Sequence, residues 1–330
     1  MASDISPLPE TAVELNYDSR SLLVLRIGVC ACFAGWAWQH LRWSAPYGSV
    51  LWDPDYFGWL ADWLEVPWES YVADYVTDGR IGMATRFLGV LYLGISLNAL
   101  FTKRDSVLSQ IPLVLGSGLL ATLAFCKYVH DGHASATFVE HGGQILSPIL
   151  LTVALRRGTH DRWTIATAVV AFWTTFAGHG YYALGLAPTP GHFYGMVHAI
   201  LGLGESASES LLRMAGVLDF AVCLGILLPL TRRPCLVYAT LWGTLTALAR
   251  PVAGMAFESN WWGADQFLHE AILRIPHAAV PLFLFLVSKD RKDVPATPDP
   301  LLLSSPAPSK KRNGAAISVG SRQLVTWHAN

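Results

Sequence analysis

The chain predicts an all-α integral membrane protein of about eight transmembrane helices, arranged as two parallel four-helix repeats with short interfacial helices in the long outer loops. Three observations carry this expectation. Of 330 residues, 52% are hydrophobic and only 14% charged, against roughly 25% charged in soluble domains. Apolar runs of about 20 residues recur, the length that crosses a hydrocarbon core roughly 30 Å thick. The charges are sorted by loop rather than spread along the chain.

Residues 1–20 carry Asp4, Glu10, Glu14 and Asp18 without an apolar core, which reads as a cytoplasmic segment rather than a cleavable signal peptide. The first repeat, 21–158, holds expected spans at 22–42, 82–101, 108–127 and 138–156. The second, 159–288, holds spans at 163–185, 211–230, 235–256 and 267–287. Residues 289–330 are rich in Pro, Ser and Lys and lack apolar periodicity, so a disordered cytoplasmic tail is expected. The five cysteines lie in or beside apolar runs and form no CxxC pair; they read as small buried hydrophobes.

Orientation follows from the loops. Arg20, Lys103, Arg104, Arg156, Arg157, Arg162, Arg232, Arg233, Lys289, Arg291 and Lys292 flank one side, while the opposite loops are acidic, with Arg80 nearly alone as a cation. By the positive-inside rule both termini are cytoplasmic in a cell membrane. In the first long outer loop, WDPDYFGWLADWLEVPWESYV alternates aromatics with carboxylates, as interfacial helices with aromatic anchors do. The second, 186–210, repeats that character with GHFYGMVHAILGLGESASES.

The two halves read as copies. Phe33-Ala34-Gly35 matches Phe176-Ala177-Gly178, and RFLGVLYLGISLNALFTKR (86–104) matches RMAGVLDFAVCLGILLPLTRR (213–233). FVEHGGQILSPILL (138–151) aligns with FLHEAILRIPHAAVPLFL (267–284). Four helices per copy is an even number, so both copies start from the same side and an axis along the membrane normal relates them.

Arg26 in an LRIG first helix, the loop WSAPYGSVLWDP (43–54) and a Lys/His loop feeding a helix that ends in SPILL resemble the DoxX-like and HTTM families, the latter being the membrane domain of vitamin K-dependent carboxylases. The resemblance covers residues 20–290 when the unit is counted twice. It implies a helical bundle with its binding or active face toward the outer leaflet, and quinone-linked chemistry. No lysine-and-histidine catalytic pair maps onto this chain, and no large soluble domain follows the membrane unit.

Ionisable groups at membrane depth cost roughly 2.5–3.5 kcal/mol on insertion scales and usually face a cavity or one another. At about 1.5 Å per residue, His179, Asp219, Arg250, Glu270, Arg274 and His277 fall at one level in the second copy, with Glu270, Arg274 and His277 on one helical stripe. Two readings stay open. One is a register-holding salt-bridge network pairing Asp219 with Arg250 and Glu270 with Arg274. The other is a polar cavity in which Glu270 or Asp219 accepts protons, with His179, His277 and Lys127 as further catalytic candidates, while Arg250 and Arg274 grip a head group. In the first copy Arg86, Lys127, His40, Glu140 and Gln144 occupy comparable levels, and Glu140 and Gln144 share a face at i, i+4. His130, His133 and His141 have the residue types for a metal but no recognised ligand spacing.

No Walker motif, dinucleotide fingerprint or GxSxG elbow occurs, and the cytoplasmic loops are too short for a catalytic domain. A net charge of −1 argues against nucleic acid as a partner. The expected function is an outward-facing intramembrane site for an amphipathic molecule such as a quinone or lipid, bound and chemically altered if the protein is an enzyme. The alternatives are a transporter or channel subunit, and an accessory subunit whose Trp-rich outer loops dock a periplasmic partner.

Overall fold

A computed structural model describes residues 17–255 and 264–290; the expected N-terminal segment, up to residue 16, and the tail from 291 onward lie outside the described residues. Among the described residues every regular element is a helix. α1 (Ser19–Arg42) starts on Asp18, whose carboxylate accepts from the backbone N–H groups of Arg20 and Ser21, donors the first helical turn would otherwise leave unpaired. The middle of α1, Ile27 to Trp38, is apolar all round, as a helix within a bundle or a membrane is. α1 packs on α5, α8, α13 and α14 and buries Leu25, Val29, Phe33 and Trp36.

The first long loop folds into three short helices, α2 (Gly48–Leu51), α3 (Pro54–Trp63) and α4 (Trp68–Ala73). α5 (Tyr75–Phe101) begins earlier than its apolar run because Asp74 caps Val76 and Thr77. Its far end is held by Arg26, which donates to the carbonyls of Ala99, Leu100 and Thr102. α6 (Val107–His130) follows. The next expected span is broken at His141 into α7 (Ser135–Glu140) and α8 (Gly142–Arg157).

α9 (Arg162–Ala183), α10 (Gly191–Leu201), α11 (Glu205–Gly225) and α12 (Arg232–Ala253) come next. The last expected span is also broken, into α13 (Ala264–Leu273) and α14 (Pro276–Asp290). Pro276 has no N–H for a helical bond, and Arg274 and Ile275 bond only three residues back, to Ala271 and Ile272.

Taking each broken pair as one, five helices among the described residues are long and apolar enough to cross a membrane: Ser19–Arg42, Tyr75–Phe101, Val107–His130, Ser135–Arg157 and Gln266–Ser288. α9, α11 and α12 match them in length, with 22, 21 and 22 residues. They are more polar, because α11 opens on ESASES, α12 opens on RRP, and threonines recur in α9 and α12. Large apolar side chains such as Phe87, Leu97, Leu115, Leu241 and Leu245 stand exposed on α5, α6 and α12. A soluble surface rarely carries so much contiguous apolar area, so the exposed faces point, with the five helices, to a membrane protein.

The packing is reciprocal. α1 lies against α13 and α14, and α9 lies against α7 and α8. Both contacts rest on glycine. A Cβ on Gly35 would sit 2.7 Å from Leu273 Cβ, and one on Gly178 would sit 2.6 Å from the Glu140 backbone N. Only a residue without a side chain allows either approach.

Candidate functional site

At the acidic end of the bundle the breaks in α7/α8 and α13/α14 turn charged side chains inward. Glu270, in the last turns of α13, reaches Arg250 of α12: its Oε2 lies 3.0 Å from Arg250 Nε. The same oxygen lies 3.2 Å from Arg274 Nη1, and Arg274 also donates to the Glu270 carbonyl. The pairing expected between Asp219 and Arg250 is therefore not formed; Arg250 is drawn to Glu270, its other nitrogen resting on the Met196 sulfur.

Glu140, the last residue of α7, sits between two imidazoles, 3.7 Å from His141 Nδ1 and 3.6 Å from His179 Nδ1. Both rings are oriented by their own helices, since His141 Nδ1–H donates to Thr137 O and His179 Nδ1–H to Thr175 O. A carbonyl can only accept, so in each neutral ring Nε2 is the free acceptor. Beside Glu140, Thr137 donates to Asp131 and stands in hydrogen-bond contact with the Tyr182 hydroxyl.

These groups surround a cavity of about 1040 Å³ lined by Lys127, Asp131, Glu140, Arg250, Glu270 and Arg274, with His130, His133 and His192 also on its wall. Lys127 makes no ion pair among the described residues, whereas Arg250 and Arg274 share one carboxylate. Lys127, Arg250 and Arg274 thus face Asp131, Glu140 and Glu270 across the chamber, three cations to three carboxylates, with the two arginines close together on one of them. A second, apolar cavity of about 320 Å³ adjoins it, walled by α9, α10, α11, α12 and α14 and containing His179, Asp219 and His277. Arg250, Arg274, Phe193 and Met196 line both cavities. The structure therefore places a polar chamber directly against an apolar one, with two arginines at the boundary.

Sequence placed the polar residues of the two halves in separate groups. Lys127 and Glu140 of the first half in fact join Arg250, Glu270 and Arg274 of the second. The expected stripe along the last helix is split: Glu270 and Arg274 face the polar chamber, while His277, past the break, faces the apolar one. Gln144 does not share a face with Glu140, because the break at His141 rotates it inward, where it accepts from Trp36 Nε1 at 2.9 Å.

His40 is also elsewhere. Its Nδ1–H donates to Trp36 O, and its Nε2 accepts from the Tyr47 hydroxyl at 2.9 Å, an internal brace for the first loop. Arg86 is exposed on α5 and lines neither cavity. His130, His133 and His141 do not converge; His133 pairs with Tyr56, His141 turns toward Trp36, and among the described residues no three metal-ligating side chains gather.

Phe193 and Met196 of α10, which separate the chambers, and Trp242 of α12 were not singled out by sequence. Their only signal was an apolar side chain in an amphipathic or apolar helix, in a chain that is 52% hydrophobic. The fold and its cavities define the class: an all-helical protein with, among the described residues, five helices long and apolar enough to cross a membrane and a polar site buried at one end of the bundle. No known protein family, curated protein or solved structure matches the chain.

Proposed function

We propose that this chain is an eight-span protein of the cell membrane, with both termini cytoplasmic, that binds an amphipathic molecule, a quinone or a lipid, at a site facing the outer side. The carrying observation is the boundary at Arg250 and Arg274, where a polar chamber meets an apolar one. A molecule with an oxygen-bearing head and an apolar chain is the complement of that junction. The head's acceptor or anionic oxygen lies against the two guanidiniums, which among the described residues share Glu270 at ion-pair distance, and the low local dielectric strengthens the contact. Glu140 between His141 and His179 supplies a group able to exchange protons with a bound head.

The tandem arrangement is part of this reading. In the first half α1 packs on α5 and α8, α6 on α8, and α2 on α6; in the second, α9 packs on α11 and α14, α12 on α14, and α10 on α12. Each half ends in a broken helix, and Gly35 and Gly178 hold equivalent close contacts. The order supports two parallel four-helix repeats, and the DoxX-like and HTTM resemblance stays part of the proposal.

The rival reading, a purely structural clamp of α12 on α13, draws on the Arg250–Glu270–Arg274 triad. Native mass spectrometry of protein extracted gently from its own membrane, beside Arg250→Gln, separates the two. A quinone or lipid held by the wild type and lost in the variant supports the binding site. An empty wild type, with a variant that is only less stable, overturns it in favour of the clamp.

A further inference from the structure

Two buried polar atoms in the apolar chamber have no partner among the described residues, Asp219 Oδ1 and His277 Nε2. Asp219 is 3% exposed and His277 4%. Folded proteins pair nearly all such atoms, and leaving one unpaired forfeits its full desolvation cost. Here two of them line one cavity of about 320 Å³. Trp242 donates weakly toward the Asp219 carboxyl, and the His277 ring meets His179 edge-on at 5.1 Å between centroids; Asp219 Oδ1 and His277 Nε2 still lack a partner of full hydrogen-bond geometry.

The walls decide what can complete them. Away from the arginine boundary they are apolar, Phe176 and Leu212 among them, which favours an uncharged group over an ion. A hydroxyl is uncharged, with one proton to donate and lone pairs to accept, so it can donate to the Asp219 oxygen while accepting from His277 Nε2–H, the tautomer this seat requires. The chamber also has a mouth. α11 packs chiefly on α9 and α12 chiefly on α14, which leaves a cleft between α11 and α12 alongside α10. Its lips, Leu201 and Leu245, are exposed and apolar, as befits a cleft that opens to acyl chains rather than to water.

Resting on the binding site proposed above, the geometry points to a lateral portal between α11 and α12, through which a membrane-dissolved amphiphile with a hydroxyl-bearing head reaches the site, its hydroxyl seated between Asp219 and His277 and its chain lying in the cleft. Trp242 lies eight residues from Arg250 on α12, about 12 Å along the axis. The hydroxyl therefore sits deeper than the arginine boundary, and the polar chamber meets the outer part of the head.

The test uses the full chain in lipid nanodiscs with two probes that differ by one methyl group, 4-dodecylphenol and its methyl ether 4-dodecylanisole. The wild type is expected to bind the phenol on the order of tenfold more tightly, the worth of one hydrogen bond to a buried polar group. Asp219→Leu is expected to abolish that preference while leaving the ligand-free melting temperature unchanged or raised, because it removes an unpaired buried carboxyl. Ala249→Phe, on the chamber wall, is expected to weaken both probes alike. Equal binding of the two probes by the wild type, or a lower melting temperature in Asp219→Leu with the preference intact, overturns the proposal. If neither probe binds but another amphiphile is retained and lost in Arg250→Gln, the portal and hydroxyl seat fall while the site stands. If nothing is retained in either protein, the site falls with them.

Discussion

Replacing Glu270 with Gln removes the one carboxylate that two guanidiniums share, at 3.0 and 3.2 Å. The arginine side chains are 9% and 14% exposed and the glutamate 30%. Breaking a buried pair by removing one partner costs about 3–5 kcal/mol; partial solvent access to the glutamate lowers this to about 2–3 kcal/mol. At about 2–4 °C per kcal/mol for large domains, the melting temperature should fall by about 4–12 °C. Arg250→Gln should cost a similar amount. Because both changes break the same contact, the double variant should be less destabilised than the sum by about 1 kcal/mol or more, within the range for coupled neighbours. The assay is thermal unfolding of all four proteins in one detergent, followed by size-exclusion recovery. A Glu270→Gln protein within 1 °C of wild type (roughly 0.3–0.5 kcal/mol by the same scaling), or strict additivity of the two changes, would refute the shared-carboxylate geometry.

Three further outcomes are expected. Gly178→Ala should lower stability by about 1–3 kcal/mol, as overpacking does, because its Cβ would lie 2.6 Å from the Glu140 backbone; a neutral result in the same melt would mean α7 and α9 are not in contact. Arg26→Met should cost about 1–3 kcal/mol per carbonyl left unpaired at the end of α5, and Arg26→Lys should rescue little, since one ammonium cannot reproduce a fork reaching Ala99, Leu100 and Thr102. Burial raises the Asp18 carboxyl, but hydrogen bonds from Ser21 and Arg20 outweigh it and hold it below its ordinary value. A depressed carboxyl stabilises the fold above its unfolded pKa, and that stability is lost as pH falls through the folded one. Melting profiles below pH 4 (near the ordinary Asp value) should therefore drop less steeply in Asp18→Asn than in wild type.

Much of the helical framework was legible without coordinates, and the reason is local. An apolar run such as 22–42 with Asp18 ahead of it needs only periodicity and a cap to become α1. The short helices of the Trp-rich loop, and α10, likewise follow from amphipathic spacing and turn residues. The breaks were harder to see. Pro276 marks one, while the Gly142-Gly143 pair after His141 only hints at the other, because what fixes it is tight packing on Thr174 and Thr175 of α9, some thirty positions away.

The sequence by itself determined that the chain is helical, rich in helices of membrane-crossing length and apolarity, and provided with ionisable residues it cannot leave in lipid. Only the tertiary structure decided which of those residues meet. Lys127 and Glu140 belong to one half and Arg250, Glu270 and Arg274 to the other, yet they line one chamber because α9 packs on α7 and α13 on both α1 and α12. Gln144, His40 and Arg86 have the same chemistry and comparable depth, but a helix break, a tyrosine partner and an outward-facing side keep them away. Depth along a helix can be counted from sequence. The azimuth that a side chain presents, and the helix standing opposite, are set by long-range packing, and that is where the site is made.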